Sequence, residues 1–253
     1  MKLKRKNLLS ILLCLLISVN ILAQEKAIMN LPKYDLDPYH FGFILGMNQM
    51  FFTIKPKAGF MVKSYTLALT PELNGDSAKL RSLESNPTSG FVIGIVSNVR
   101  LGKYFDLRFI PSLSFGERQI VYKIAIDQNP AIAVITKKVQ STFVEFPLYV
   151  RYKGKRINNV LPYFLGGGKY ALDLASNSKK RGNSTDYNVV IQRNDLYAEL
   201  GVGFDFYTAW FKFGTEVKMS YGLFDILKHD NTIYTGGIEK LNSRLFQLTF
   251  SFE

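Results

Sequence analysis

Residues 39–48 read YHFGFILGMN, and their strict alternation constrains the fold more than any other feature of the chain. Phe41, Phe43, Leu45 and Met47 fall on one face; His40, Gly42, Ile44, Gly46 and Asn48 fall on the other. Side chains of a strand point to opposite faces with a period of two, so this is a strand with one greasy face. The pattern recurs. GFVIGIVSNVRL (90–101) aligns Phe91, Ile93, Ile95 and Val99, and YFDLRFIPSLSFGER (104–118) aligns Phe105, Leu107, Phe109, Leu113 and Phe115. TFVEFPLYVRYK (142–153), LYAELGVGFDFY (196–207), WFKFGTEVKMSYG (210–222) and RLFQLTFSFE (244–253) do the same, and VLPYFLGGGKYALDL (160–174) is strand-like with an ambiguous register. Ordinary strands run to about 5–6 residues. These candidates run to about 10–14, enough for the roughly 9–11 that a strand needs to cross an outer membrane.

The connections alternate in length. Residues 101–104, 153–159 and 207–209 are short, whereas 50–88, 119–138, 175–192 and 223–242 are long. Short turns at one end and long loops at the other are the pattern of an outer-membrane barrel. The expected fold is therefore all-β: an eight-stranded antiparallel transmembrane outer-membrane β-barrel, with both termini on the periplasmic side. Within 50–88, FMVKSYTLAL leaves open a hairpin above the membrane or an added strand pair. A soluble sandwich or lipocalin-like barrel also alternates, but its outer face should be polar.

The chain begins with Lys2, Lys4, Arg5 and Lys6, followed by an apolar run from Leu8 to Leu22 and a small residue, Ala23. The run is shorter than the roughly 20 residues of a spanning helix, so residues 1–23 read as a secretory signal peptide. Residues 24–38 then form a periplasmic lead-in and 39–253 the barrel. Without 1–23 the formal charge falls from +12 to +8, because four cations and no anions are lost. The single cysteine, Cys14, leaves with that segment, so the mature chain carries no disulfide and no thiolate metal site. A basic exported protein suits an anionic surface such as lipid and lipopolysaccharide phosphates; no nucleic-acid motif is present.

The face opposite the greasy one carries ions of both signs: Arg100, Asp106, Arg108, Glu145, Arg151, Glu199, Asp205, Lys212, Glu216 and Lys218. A Lys or Arg facing lipid at mid-depth costs roughly 2–4 kcal/mol, so these groups are expected to face inward. The interior of an eight-stranded barrel is just wide enough for side chains to fill. The lumen should therefore be a packed ionic network rather than a pore. Candidate chemistry is sparse. His40 and His229 are the only histidines, and no metal-ligand spacing, nucleophile elbow or phosphate-binding loop accompanies them. No catalytic residue, cofactor or metal is expected. GGG at 166–168 reads as bending or close packing within a strand, and SNSKKRGNS (176–184) as a basic outward loop, either simply solvated or in contact with lipopolysaccharide phosphates. Phe252 ends the alternating C-terminus, as in the barrel-assembly signal, but Glu253 follows it.

NLPKYDLDPYHFGFILGMN (30–48) resembles the start of the PorT/SprT proteins of type IX secretion and gliding systems. TFVEFPLYVRYK, LPYFLGGGKYAL and EVKMSYGLFDIL (216–227) resemble outer-membrane β-barrel domains of the Bacteroidetes more widely. The resemblance implies a non-enzymatic outer-membrane component of a secretion machine that acts through protein partners. The alternative is a small passive porin or a surface-binding barrel. In the first case Tyr34, Asp35, Asp37 and His40, in and beside the lead-in, are the candidate periplasmic partner contacts.

Overall fold

The computed structural model describes residues 29–66, 77–126, 129–176, 189–229 and 233–253, with side chains throughout except at 129–131. The signal peptide, the first part of the lead-in and most of the basic segment 176–184 lie outside the described residues. The chain is almost entirely antiparallel sheet. Its strands are β1 (Tyr39–Pro56), β2 (Ser64–Thr66), β3 (Ser77–Asn86), β4 (Thr88–Arg100), β5 (Phe105–Phe109) and β6 (Ser112–Ile126). They continue with β7 (Asn129–Lys153), β8 (Val160–Asp173), β9 (Asn194–Tyr207), β10 (Lys212–Gly222) and β11 (Ile238–Phe252). A 3-10 turn (Tyr34–Leu36) precedes β1, and one helical turn, α1 (Ile233–Gly236), precedes β11.

The sheet order is β1-β11-β10-β9-β8-β7-β5-β4-β6-β3-β2, and β1 also pairs with β4. Thus β1 is hydrogen-bonded on both sides: Phe43 faces Phe252 across one ladder and Ile95 across the other. The sheet curls back on itself around an interior.

The alternating segments lie in strands, but the expected eight-stranded transmembrane barrel is corrected: among the described residues the sheet has eleven strands. The segment 104–118 is broken at Ile110–Pro111 into β5 and β6, because proline has no N–H to give to a ladder. Both pieces still pair with β4 and β7. Residues 50–88 are not a plain loop: β1 continues to Pro56, and β2 and β3 form an arm that pairs with β6. That arm ends in a free edge at β2, so the assembly is no simple ring of equal strands. Residues 119–126 and 129–138 are likewise the continuation of β6 and β7, which stay paired from Ser112–Glu145 to Ile126–Asn129.

The two faces separate as the alternation requires. Phe41, Leu45, Met47, Phe91, Ile95, Leu148, Phe164, Leu200 and Met219 are exposed on the outer wall. A contiguous apolar belt of this kind is untenable in water but suits lipid. Aromatic pairs stack across strands on that wall: Phe43 on Phe252 at 5.0 Å and Phe91 on Phe115 at 4.7 Å. Inside, Asn48 donates to the Ser114 hydroxyl at 2.8 Å.

At the long-loop end the interior changes character. Phe52, Tyr65, Leu80, Tyr122, Ile124, Ile226, Tyr234 and Leu241 form an apolar core of their own. It is built from the extended ends of β1, β6 and β11, the β2–β3 arm, α1 and the segment after β10. Tyr122 meets Tyr234 edge-on at 5.1 Å. Asp225 fixes the segment after β10 by accepting N–H bonds from Leu227 (3.1 Å) and Leu241 (3.0 Å) and pairing with His229 (3.0 Å).

Candidate functional site

The interior holds three tiers of ions. Nearest the short turns, Arg108 pairs with Glu253 at 2.7 Å, Lys212 with Glu253 at 2.8 Å, and Lys153 with Asp106 at 2.7 Å. Arg151 pairs with Asp205, and its guanidinium lies 3.7 Å from the centre of the Tyr163 ring. In the middle tier, Lys218 meets Glu216 at 2.8 Å and the Tyr163 hydroxyl donates to Glu216 at 3.0 Å. Lys169 sits between Glu145 (3.1 Å) and Glu199 (2.9 Å), and Glu199 also accepts from the hydroxyls of Tyr149 and Ser220. In the third tier, beneath the apolar core, Arg118 pairs with Asp173 at 3.1 Å. Its guanidinium lies between the Phe52 (4.8 Å) and Phe143 (5.0 Å) rings and donates to Ser141 and Ser243.

These groups are buried and nearly balanced in sign. Burying a charge is tolerable only when it is paired, and the ions of this network are paired across the interior, although Nε and Nη1 of both Arg108 and Arg151 and Oδ1 of Asp205 have no hydrogen-bond partner. Two lumen-facing glycines of β9 make the packing possible. A Cβ at Gly203 would lie 2.4 Å from Tyr163 Cζ, and one at Gly201 would lie 2.8 Å from Lys218 Cγ. The glycines of β1 act differently: a Cβ at Gly42 would meet the Phe252 carbonyl at 2.1 Å, so they admit neighbouring backbone rather than Arg or Lys side chains.

Of the residues read from the alternation, Asp106, Arg108, Glu145, Arg151, Glu199, Asp205, Lys212, Glu216 and Lys218 converge in the interior. Arg100 does not: it sits at the rim and donates to the carbonyls of Leu36 (2.9 Å) and Gly102 (3.3 Å). Arg118, Lys153, Lys169, Asp173 and Glu253 also belong to the network; Arg118 and Lys153 follow the inward parity of their segments, whereas Lys169 and Asp173 lie in the segment of ambiguous register. Glu253, read as a departure from the terminal signal, follows the parity of Ser251 and turns its carboxylate inward. Burial alone would raise that carboxyl; Arg108, Lys212 and Arg151 outweigh burial and hold it well below the usual glutamate range.

The lead-in folds back across the short-turn mouth. Tyr34 stacks on His40 with ring centres 4.1 Å apart, and Lys212 lies 5.0 Å from its ring. Leu31 and Tyr34 pack against a cluster containing Ile44, Val96, Tyr149 and Tyr207. Asp35 accepts from the Tyr207 hydroxyl at 2.5 Å and from Arg156 at 3.4 Å. Arg156 lies 3.6 Å from the centre of the Tyr207 ring and also donates to the Asn30 carbonyl. Asn30 itself donates to Asn159 (2.9 Å) and to the Tyr207 carbonyl (3.0 Å). Of the four candidate partner contacts, Tyr34, Asp35 and His40 are engaged within the chain, while Asp37 is exposed and closes the 3-10 turn through its N–H. His229 pairs with Asp225, and among the described residues no cluster of His, Cys, Asp and Glu could hold a metal ion.

A family described as outer membrane protein beta-barrel domain matches residues 23–228. Among solved structures, the outer membrane protein OprG from Pseudomonas aeruginosa is matched at 13% identity and a TM-score of 0.42, over 90% of this chain and 97% of that one. No curated protein matches the chain. The family match corrects the PorT/SprT, type IX secretion and gliding assignment: what it shows is an outer-membrane β-barrel domain, with nothing specific to secretion or gliding. Of the residues behind that assignment, 39–48 lie in a barrel strand, and Leu31 and Tyr34 of the lead-in pack against the cluster at the mouth.

Proposed function

The chain belongs to the outer membrane protein β-barrel domain family, and from that premise we propose that it is a non-conducting outer-membrane protein that presents a folded binding surface outside the cell. It is a non-enzymatic protein of the Gram-negative outer membrane. The observation that carries the reading is the second apolar core at the long-loop end. β7 is 25 residues long, against roughly 9–11 needed to cross the bilayer, so more than half of it serves a structure beyond the membrane. Passive loops would not need a core; a surface held rigid for recognition does. Outer-membrane barrels place their longer loops outside. A recess of about 280 Å³ on this end, lined by Glu117, Lys138, Gln140, Ser176 and Ile191, offers mixed polar contacts. The other available role, a passive porin, conflicts with a lumen filled by paired ions.

The test is labelling of intact cells with a membrane-impermeant amine reagent. Lys55 and Lys138, with side chains 65% and 63% exposed at the long-loop end, should be tagged. Lys103 and Lys155, on the short turns, should be tagged only after the outer membrane is opened. The reverse pattern would overturn the reading.

A further inference from the structure

We propose that the short-turn rim carries a binding site for the phosphate headgroup of an anionic phospholipid. A cavity of about 400 Å³ opens there, between the β4–β5 turn, the β7–β8 turn and the lead-in. Its lining holds the cations Lys103, Lys153, Lys155 and Arg156 against one carboxylate, Asp35. Lys153 is neutralised by Asp106 at 2.7 Å and Arg156 by Asp35 at 3.4 Å. Among the described residues, Lys103 and Lys155 have no carboxylate partner, so the recess keeps a net positive charge.

The walls say what kind of anion fits. Tyr104 and Leu161 make part of the lining apolar, and Lys103 lies 5.3 Å from the centre of the Tyr104 ring. Immediately outside, Tyr104 and Phe105 approach Tyr152, with centroids 6.4 and 5.3 Å apart, and all three rings are exposed. Aromatic girdles of this kind sit at the level of the headgroups. A soluble anion would use the cations and leave the apolar walls bare. A phospholipid uses both, its phosphate on the lysines and its glycerol and upper chains along Tyr104. Outer-membrane barrels turn their short turns to the periplasm, so the lipid belongs to the inner leaflet.

The experiment uses the full mature chain in nanodiscs of phosphatidylcholine and phosphatidylglycerol, with bound lipid counted by native mass spectrometry after release. Each basic side chain near an anionic headgroup contributes about fivefold. Wild type should therefore retain phosphatidylglycerol over phosphatidylcholine by at least tenfold. The double variant Lys103→Glu, Lys155→Glu should lose that preference, and the milder Lys103→Gln, Lys155→Gln should lose most of it. Both should keep the heat-modifiable gel mobility of a folded barrel, since neither lysine belongs to the interior network. Lys57→Glu, at an exposed position just beyond the long-loop end of β1, should leave the lipid preference unchanged. Equal retention of the two lipids by wild type would overturn the proposal, as would an equal loss in Lys57→Glu. Displacement of the lipid by millimolar inorganic phosphate would also overturn it, because the site would then read a free anion.

Discussion

Lys169→Met isolates the stability logic of the interior. Lys169 is fully buried and lies between Glu145 and Glu199 at 3.1 and 2.9 Å. Methionine matches its length and packing but removes the cation that the two carboxylates share. Glu199 keeps the hydroxyl donors of Tyr149 and Ser220. Glu145 keeps only the Ser112 hydroxyl at 3.4 Å, so it is the group left stranded. Removing one partner of a buried pair costs about 3–5 kcal/mol, which is roughly two to four powers of ten in the folding equilibrium. The informative comparison is the triple variant Lys169→Met, Glu145→Gln, Glu199→Gln. With no charge left to strand, it should lie within about 1 kcal/mol of wild type or be more stable, because replacing a whole buried ion cluster is often neutral or better. The assay is urea titration of folding into lipid vesicles, with heat-modifiable mobility reporting the folded barrel. A single variant that loses less than about 1 kcal/mol would refute the reasoning, and so would a triple variant as unstable as the single one.

Three further perturbations probe other parts of the structure. Glu253 is held below its ordinary value of 4.5 in the folded chain, so it binds protons less readily folded than unfolded; its contribution is complete above that value and is lost as pH falls through the lower folded one. Glu253→Gln should therefore flatten the acid side of the stability–pH curve, measured by urea midpoints from pH 3 to 8; an unchanged slope would contradict the pairing with Arg108 and Lys212. Asp35→Ala removes the acceptor of the Tyr207 hydroxyl and of Arg156, a local loss of about 1–3 kcal/mol. Limited proteolysis should then cut at Lys33 in a barrel that stays folded, whereas wild-type resistance in the variant would argue against the mouth contact. Gly203→Ala places a Cβ 2.4 Å from Tyr163 Cζ and 2.7 Å from the Thr215 carbonyl. Because one of the clashing atoms is backbone, it should destabilise the barrel by about 1–3 kcal/mol, and a urea midpoint equal to wild type would show that the interior is looser than described.

Much of the wall was legible because a period of two reports both faces at once: Phe41 outward implied Ile44 and Asn48 inward. The strand count was not, because alternation marks a face but not a break. Pro111 interrupts one alternating segment without changing its parity, and β2–β3 carries too few large residues to show a greasy face. The interior was legible where ions alternate with apolar residues, as at Asp106 and Arg108. It was not legible at Lys169, whose strand has glycines at 166–168 and so lacks a readable pattern. The role of the lead-in was hidden for a different reason. Tyr34 and Asp35 find their partners at His40, Arg156 and Tyr207, and contacts with residues as distant as Arg156 and Tyr207 leave no local trace in the sequence.

The central claim is that the interior is filled and does not conduct. Reconstitution of the purified mature chain into planar lipid bilayers tests it most directly. Tiers of paired ions from Arg108 to Arg118, with Tyr34 across the mouth, predict a flat baseline at voltages up to about 100 mV, at which the field contributes only about 2.3 kcal/mol per charge. Steady, ohmic single-channel currents from the folded, heat-modifiable protein would contradict it.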